Sequence, residues 1–202
     1  MNDTRRPALF GGSFDPLHIG HLHIADAALA GGRFDAVFFV PAFRSPHKAD
    51  GYGAPDAARI AMVRSSIDRR ERMHLLRWEL ERPGPSYTID TLEQFIEVYD
   101  GDEAPGLIVG DDLLERFDTW ERYEEILAKA TLVVGARPAE EPARRSRYKR
   151  LGELGARFEE LDNAAIAVSA SDIRRRVAAG LPYRDLVPET VYNIIETHRL
   201  YR

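Results

Sequence analysis

The sequence predicts an α/β fold: a doubly wound, mostly parallel sheet with helices on both faces. Three observations carry that expectation. Short apolar runs alternate with amphipathic helical stretches along the chain, the pattern of repeated strand–helix units. Ala36-Val37-Phe38-Phe39-Val40 and Gly106-Leu107-Ile108-Val109 are continuous apolar runs, as strands buried on both faces must be. The first run, Pro7-Ala8-Leu9-Phe10, passes through Gly11-Gly12 into a helical pattern, so a strand feeds a helix by way of a glycine turn.

Taken in order, Ala8–Phe10 reads as a strand and about Gly20 to Ala30 as a helix, closed by Gly31-Gly32. Pro41 ends the second strand, and a loop with Pro46, Gly51, Gly53 and Pro55 follows. Asp56–Ile67 reads as a helix with Ile60, Val63 and Ile67 on one face, and Met73–Trp78 as a further strand. Thr88–Tyr99 repeats Ile89, Leu92, Phe95 and Tyr99 at helical spacing. The Gly106 strand ends at Gly110-Asp111-Asp112, Leu113–Ala130 forms one or two helices, and Thr131–Val134 is another strand. Arg137–Arg150 is polar and basic with two prolines, and reads as an exposed loop. Arg157–Leu161 and Ile166–Val168 are strand candidates, and Ser171–Ala179 and Glu189–Leu200 are helices, with Pro188 at the start of the second.

Composition narrows the class. At 202 residues the chain is expected to be one domain, 1–202, and its 44% hydrophobic content supports a sizeable core. With no cysteine there is no disulfide, thiol catalysis or thiolate zinc site. A net charge of −5 is the wrong sign for a broad nucleic-acid footprint. No apolar run is long enough to span a membrane, and no apolar signal segment follows Met1–Arg6. The expectation is a cytoplasmic protein with neither nucleic acid nor membrane as partner. The composition leaves a homo-oligomer open.

The chemistry sits in Gly11-Gly12-Ser13-Phe14-Asp15-Pro16-Leu17-His18-Ile19-Gly20-His21-Leu22. N–H groups at such a turn, with the helix dipole behind them, favour an anion. His18 and His21 are three apart and share a helix face. Together they describe a site for a polyphosphate. The Gly-x-Gly-x-x-Gly spacing and the Lys-Ser/Thr of a P-loop are both missing. A zinc site is set aside, because His23 points to another side of the helix and no His-Glu-x-x-His pattern exists. Pro46-His47-Lys48 lies in a loop rimming the site, and Lys48, one of three lysines, is a candidate phosphate ligand. Ser169-Ala170-Ser171-Asp172-Ile173-Arg174 reads as a helix start with Ser171 as N-cap and Arg174 one turn in, where its planar fork can clamp phosphate. Ser86-Tyr87-Thr88 opens a helix that can offer amides to a small carboxylate, and Trp120 offers a stacking surface.

Together these segments resemble the nucleotidylyltransferases, and within them nicotinate-nucleotide adenylyltransferase. The resemblance rests on the Gly11–Leu22 signature, Pro46-His47-Lys48, Pro85-Ser86-Tyr87-Thr88, Thr91-Leu92, Ile108-Val109-Gly110-Asp111-Asp112-Leu113, Phe117-x-x-Trp120 and Ser169-x-Ser171-x-Ile173-Arg174. It covers nearly the whole chain in the family's order. Ser171 stands where the family more often has Thr, and the segment after Pro41 lacks an Asn common in the family.

The resemblance implies a Rossmann-like fold and adenylyl transfer from ATP to nicotinate mononucleotide, giving deamido-NAD and pyrophosphate. It implies His18, His21, Lys48 and Arg174 as the catalytic groups on the phosphates. It assigns Gly11, Gly12, Ser13, Phe14, Gly110, Asp112, Ser169 and Ser171 to ATP. Tyr87, Thr88 and Trp120 take the pyridine nucleotide. Mg²⁺ is expected to bridge ATP phosphates with few or no direct protein ligands, and the helical part from about 169 to 202 to close the ATP site. Rival readings are a nucleotidylyltransferase for another acceptor, a class I aminoacyl-tRNA synthetase, and a non-catalytic nucleotide sensor. The second lacks the required length and lysine-rich motif, and the intact charged set argues against the third.

Overall fold

The structure, a computed structural model, describes residues 6–44, 53–82, 84–99, 103–136 and 141–202. Among these residues six strands form one sheet: β1 (Pro7–Gly12), β2 (Ala36–Pro41), β3 (Met73–Leu75), β4 (Gly106–Gly110), β5 (Thr131–Gly135) and β6 (Phe158–Glu160). Their spatial order is β3-β2-β1-β4-β5-β6, and every neighbouring pair is parallel. This is the doubly wound order, with the topological switch between β1 and β4.

Among the described residues, eight helices surround the sheet: α1 (Ile19–Ala30), α2 (Asp56–Ile67), α3 (Trp78–Glu81), α4 (Thr88–Val98), α5 (Tyr123–Lys129), α6 (Glu141–Glu153), α7 (Ala170–Ala178) and α8 (Glu189–Thr197). Short 3-10 segments occupy Asp111–Thr119 and Arg184–Leu186. Alternate side chains leave opposite faces of a strand, and the two cores follow that rule. Ala8, Phe10, Val37, Phe39, Ile108 and Val133 pack on one face with residues of α1, α2, α7 and α8. Leu9, Phe38, Val40, Leu107, Val109, Leu132 and Val134 pack on the other with residues of α4, α5 and α6. Among the described residues, no helix is long and apolar enough to cross a membrane.

The structure corrects several expectations. Gly11-Gly12 belongs to β1, which pairs with β2 as far as Gly12–Pro41. Arg137–Arg150 is largely helix: α6 begins at Glu141, and Pro142 sits in its first turn, where proline is tolerated. It has no apolar stripe to reveal it, since Leu151 is its buried residue. Ionic contacts dock it instead. Arg147 reaches Glu115 at 2.9 Å and Asp111 at 3.5 Å, and Arg150 donates to Asp118 at 2.6 Å.

Ile166–Val168 forms no strand, and β3 stops at Leu75, leaving Trp78 to open α3. On α2 Arg59 turns fully inward alongside Met62 and Val63, while Ile60 is only half-buried. The N-cap of α7 is Ser169, whose hydroxyl accepts from the Asp172 N–H at 3.1 Å; Ser171 lies inside the helix.

Candidate active site

The site forms where β1 and β4 end. In register Phe10 faces Ile108, so Gly12 and Gly110 end neighbouring strands at the same edge of the sheet. After Gly12 the chain turns sharply, with Phe14 in the left-handed region at φ 47°. The Phe14 ring is driven into the core against Phe10, Phe39 and His21. Any contact of Phe14 with a nucleotide therefore falls to its backbone. Carbonyls behind the turn are engaged by donors: Gly12 accepts from the Ala42 N–H at 2.9 Å and Ser13 from Arg59 at 2.7 Å. Arg59 also donates to the Ala42 carbonyl and to Asp56, so one fully buried guanidinium joins the ends of β1 and β2. Engaging these carbonyls weakens their repulsion of an anion at the turn.

His18 is the N-cap of α1 and His21 its third residue. The His18 N–H donates to His21 Nδ1 at 3.2 Å, and the two rings stack with centroids 3.6 Å apart. His18 is buried and His21 half-buried. Between them Gly20 permits a close approach. A Cβ there would lie 2.7 Å from Val168 Cγ1 and 3.2 Å from His18 Nδ1. The apolar Val168 thus wedges the segment before α7 against the histidine turn.

Arg174, on α7, joins the same cluster. Its guanidinium donates to the Asp15 carbonyl at 2.7 Å and to the Ser171 hydroxyl at 3.3 Å. The Asp15 carboxylate, almost wholly buried, accepts from the Gly53 and Ala54 N–H groups at 2.8 and 3.0 Å and from the Tyr201 hydroxyl at 2.8 Å. Lys48 lies outside the described residues.

The second half of the site lies on the other face of the sheet. Tyr87 is the N-cap of α4 and Thr88 its first residue, both half-buried. The preceding Ser86 docks on the end of β2. Its hydroxyl accepts from the Phe43 N–H at 2.9 Å, and its N–H donates to the Arg44 carbonyl at 2.8 Å. Beneath it, buried Glu79 accepts from the hydroxyls of Thr91, at 2.7 Å, and Ser86. Burial pushes the Glu79 carboxyl above its usual range, although those hydrogen bonds and Arg82 oppose the rise. After β4, Asp111 is buried and Asp112 exposed. Trp120 stacks on Phe117, with centroids 4.9 Å apart and planes 29° from parallel.

The structure thus gathers His18, His21, Ser171 and Arg174 on the α1/α7 face, and Tyr87, Thr88 and Trp120 on the α4 face. Gly11-Gly12 and Gly110 lie at the edge where the faces meet. Sequence reasoning gave no role to Asp15, Arg59, Glu79 or Tyr201. One signal was available: Arg59 stands three and four residues before Met62 and Val63, which places it on the apolar face of α2.

The family model described as cytidylyltransferase-like matches residues 9–176. The chain is 38% identical over 200 residues to a Symbiobacterium thermophilum protein named "Probable nicotinate-nucleotide adenylyltransferase", covering 97% of this chain and 95% of that protein. A Thermus thermophilus protein of the same name is 40% identical over 197 residues, covering 98% of this chain and all of that one (100%). Among solved structures, the Plasmodium falciparum nicotinic acid mononucleotide adenylyltransferase complexed with NaAD superposes with a TM-score of 0.77. At 17% identity, over 98% of this chain and 97% of that one, this is a likeness of fold. Sequence and architecture agree, and the chain belongs to the nicotinate-nucleotide adenylyltransferase family within the cytidylyltransferase-like group.

Proposed function

We propose that this enzyme transfers the adenylyl group of ATP to nicotinate mononucleotide, forming deamido-NAD and pyrophosphate. One observation supports the reading: two stacked imidazoles and an arginine gather at the turn that follows Gly12 at the topological switch, with the N-terminus of α4 on the opposite face. A mononucleotide phosphate oxygen attacks the α-phosphorus of ATP in line. The bond from that phosphorus to the bridging oxygen breaks, and pyrophosphate leaves with the electron pair. The attacking group is already an anion, so the reaction needs no general base. It needs two polyanions aligned and their repulsion offset.

His18 and His21 bind the ATP phosphates, His21 nearest the α-phosphate. Arg174 and Lys48 neutralise the departing pyrophosphate. The N–H groups of Gly11–Phe14, at the end of β1, and the hydroxyls of Ser13, Ser169 and Ser171 complete the phosphate cradle. Gly110 and Asp112 take the adenosine ribose, and the 169–202 part closes this side of the site. On the other face the Tyr87 and Thr88 amides, with the Thr88 hydroxyl, receive the nicotinate carboxylate, and Trp120 stacks on the pyridine ring.

The residues fit Mg²⁺ carried on ATP better than a protein cage. Hard cations want oxygen ligands, but the turn offers imidazoles, and the Asp15 carboxylate is committed to Gly53, Ala54 and Tyr201. Bound this way, Mg²⁺ would supply charge neutralisation across the ATP phosphates.

The test is pyrophosphate release from ATP with nicotinate mononucleotide, nicotinamide mononucleotide, phosphopantetheine and glycerol phosphate in parallel. Turnover fastest with nicotinate mononucleotide supports the reading. Faster turnover with another acceptor, or ATP binding without release, overturns it.

A further inference from the structure

The last residues of the chain reach the catalytic turn. Beyond α8 the backbone doubles back through Arg199 at φ 50° and Tyr201 at φ 65°, left-handed conformations that residues with side chains adopt reluctantly. Packing and hydrogen bonds hold them there. Leu200 is buried in the core between them, and its N–H donates to the Ile195 carbonyl at 3.0 Å. Glu196 anchors the segment by accepting from the Tyr183 hydroxyl and from Arg202, each at 2.6 Å. The result aims the Tyr201 hydroxyl at Asp15 Oδ1, 2.8 Å away and 186 residues earlier in the chain.

Asp15 is the junction of three segments. Its carboxylate accepts from Gly53 and Ala54, the entry to α2, as well as from Tyr201, and its carbonyl accepts from Arg174. The packing around Gly53 is tight. A Cβ there would lie 3.0 Å from the Tyr201 ring and 3.2 Å from Arg174 Cδ. The Tyr201 ring and the Arg174 side chain thus both border Gly53. Burial and the adjacent carboxylate push the Tyr201 phenol well above its ordinary range, which keeps it a donor.

We propose that Tyr201 is a positioning residue for adenylyl transfer: its hydroxyl, acting through the Asp15 carboxylate, sets Arg174 and the entry to α2 against the phosphate-binding turn. The proposal rests on the function given above. It adds that the chain's end is part of the ATP site rather than only part of the core.

Tyr201→Phe removes one oxygen and keeps the ring. Loss of a hydrogen bond to a carboxylate predicts a fall of roughly tenfold in kcat/KM for ATP. KM for nicotinate mononucleotide should stay near that of the wild type, and the protein should remain folded at the assay temperature, with a melting temperature lowered by only a few degrees. In the substrate-free protein, amide exchange at Gly53 and Ala54 should quicken, also roughly tenfold. Tyr183→Phe is the control, since it removes a hydroxyl from the same C-terminal packing that bonds Glu196 instead of Asp15. It should leave KM for ATP and the two amides unchanged. Wild-type ATP kinetics and exchange in Tyr201→Phe would overturn the proposal, as would an equal loss in Tyr183→Phe. If the wild type proves to use another acceptor, the functional reading fails while the amide exchange still tests the Tyr201–Asp15 contact.

Discussion

His21 Nδ1 accepts the backbone N–H of His18 at 3.2 Å, and the two imidazoles stack 3.6 Å apart. An accepting Nδ1 carries no proton, so neutral His21 must carry its proton on Nε2. The helix cap thereby decides which edge of the ring donates. The stacking on His18 and the edge contacts with Phe10 and Phe14 fix the ring's direction. A donor held in place before the reaction begins is what stabilisation of developing phosphate charge requires.

Removing that donor should affect the chemical step more than binding. His21→Ala is expected to lower kcat by roughly 10²–10³-fold with a much smaller change in KM for ATP. Steady-state pyrophosphate release measures both. A variant within threefold of wild type would remove His21 from the mechanism.

Arg174 uses its fork twice, toward the Asp15 carbonyl and the Ser171 hydroxyl. A lysine has one nitrogen and cannot reproduce that geometry while also reaching a phosphate. Arg174→Lys should raise KM for ATP by about tenfold, with a melting temperature near that of the wild type. A large drop in melting temperature at unchanged KM would make the residue structural.

On the proposed reading, acceptor choice follows from the start of α4. The helix-start N–H groups at Tyr87 and Thr88 suit a carboxylate, whereas an amide NH₂ would meet donors there. The unmatched group costs about 1–3 kcal/mol, in addition to the lost charge-assisted bond. The expected preference for nicotinate over nicotinamide mononucleotide is at least about 10²-fold in kcat/KM, equivalent to nearly 3 kcal/mol. Thr88→Ala should narrow the gap by raising KM for the nicotinate substrate. Equal use of both by the wild type would refute the specificity and leave adenylyl transfer standing.

Glu79 gives the protein a pH-dependent stability. Its folded carboxyl titrates above the ordinary glutamate value of 4.5 because it is buried. Between that value and the raised one, the folded protein keeps a proton that the unfolded chain has released. Stability therefore falls as pH rises through this window. Glu79→Gln cannot ionise, so its melting temperature should decline less than that of the wild type from about pH 4 upward. Parallel melting curves for the two proteins across that range would contradict the assignment.

What the sequence determined by itself was whatever near neighbours decide. The runs Ala36–Val40 and Gly106–Val109 became β2 and β4 because continuous apolar residues leave a strand no solvent face. Helices α2 and α4 begin where their periodic patterns begin, and Gly31 closes α1 as expected. The histidine turn was legible because a cap, a glycine and a three-residue spacing are local chemistry. Tertiary structure decided the rest. Helix α6 carries almost no apolar signal and exists as a helix docked through Arg147 and Arg150 to acidic residues more than thirty positions away. Arg59 is buried because the Ser13 and Ala42 carbonyls happen to meet above it. Asp15 and Tyr201 stand at opposite ends of the chain. No periodicity links them; only the folded core, by closing α8 over α2, brings the phenol to the carboxylate.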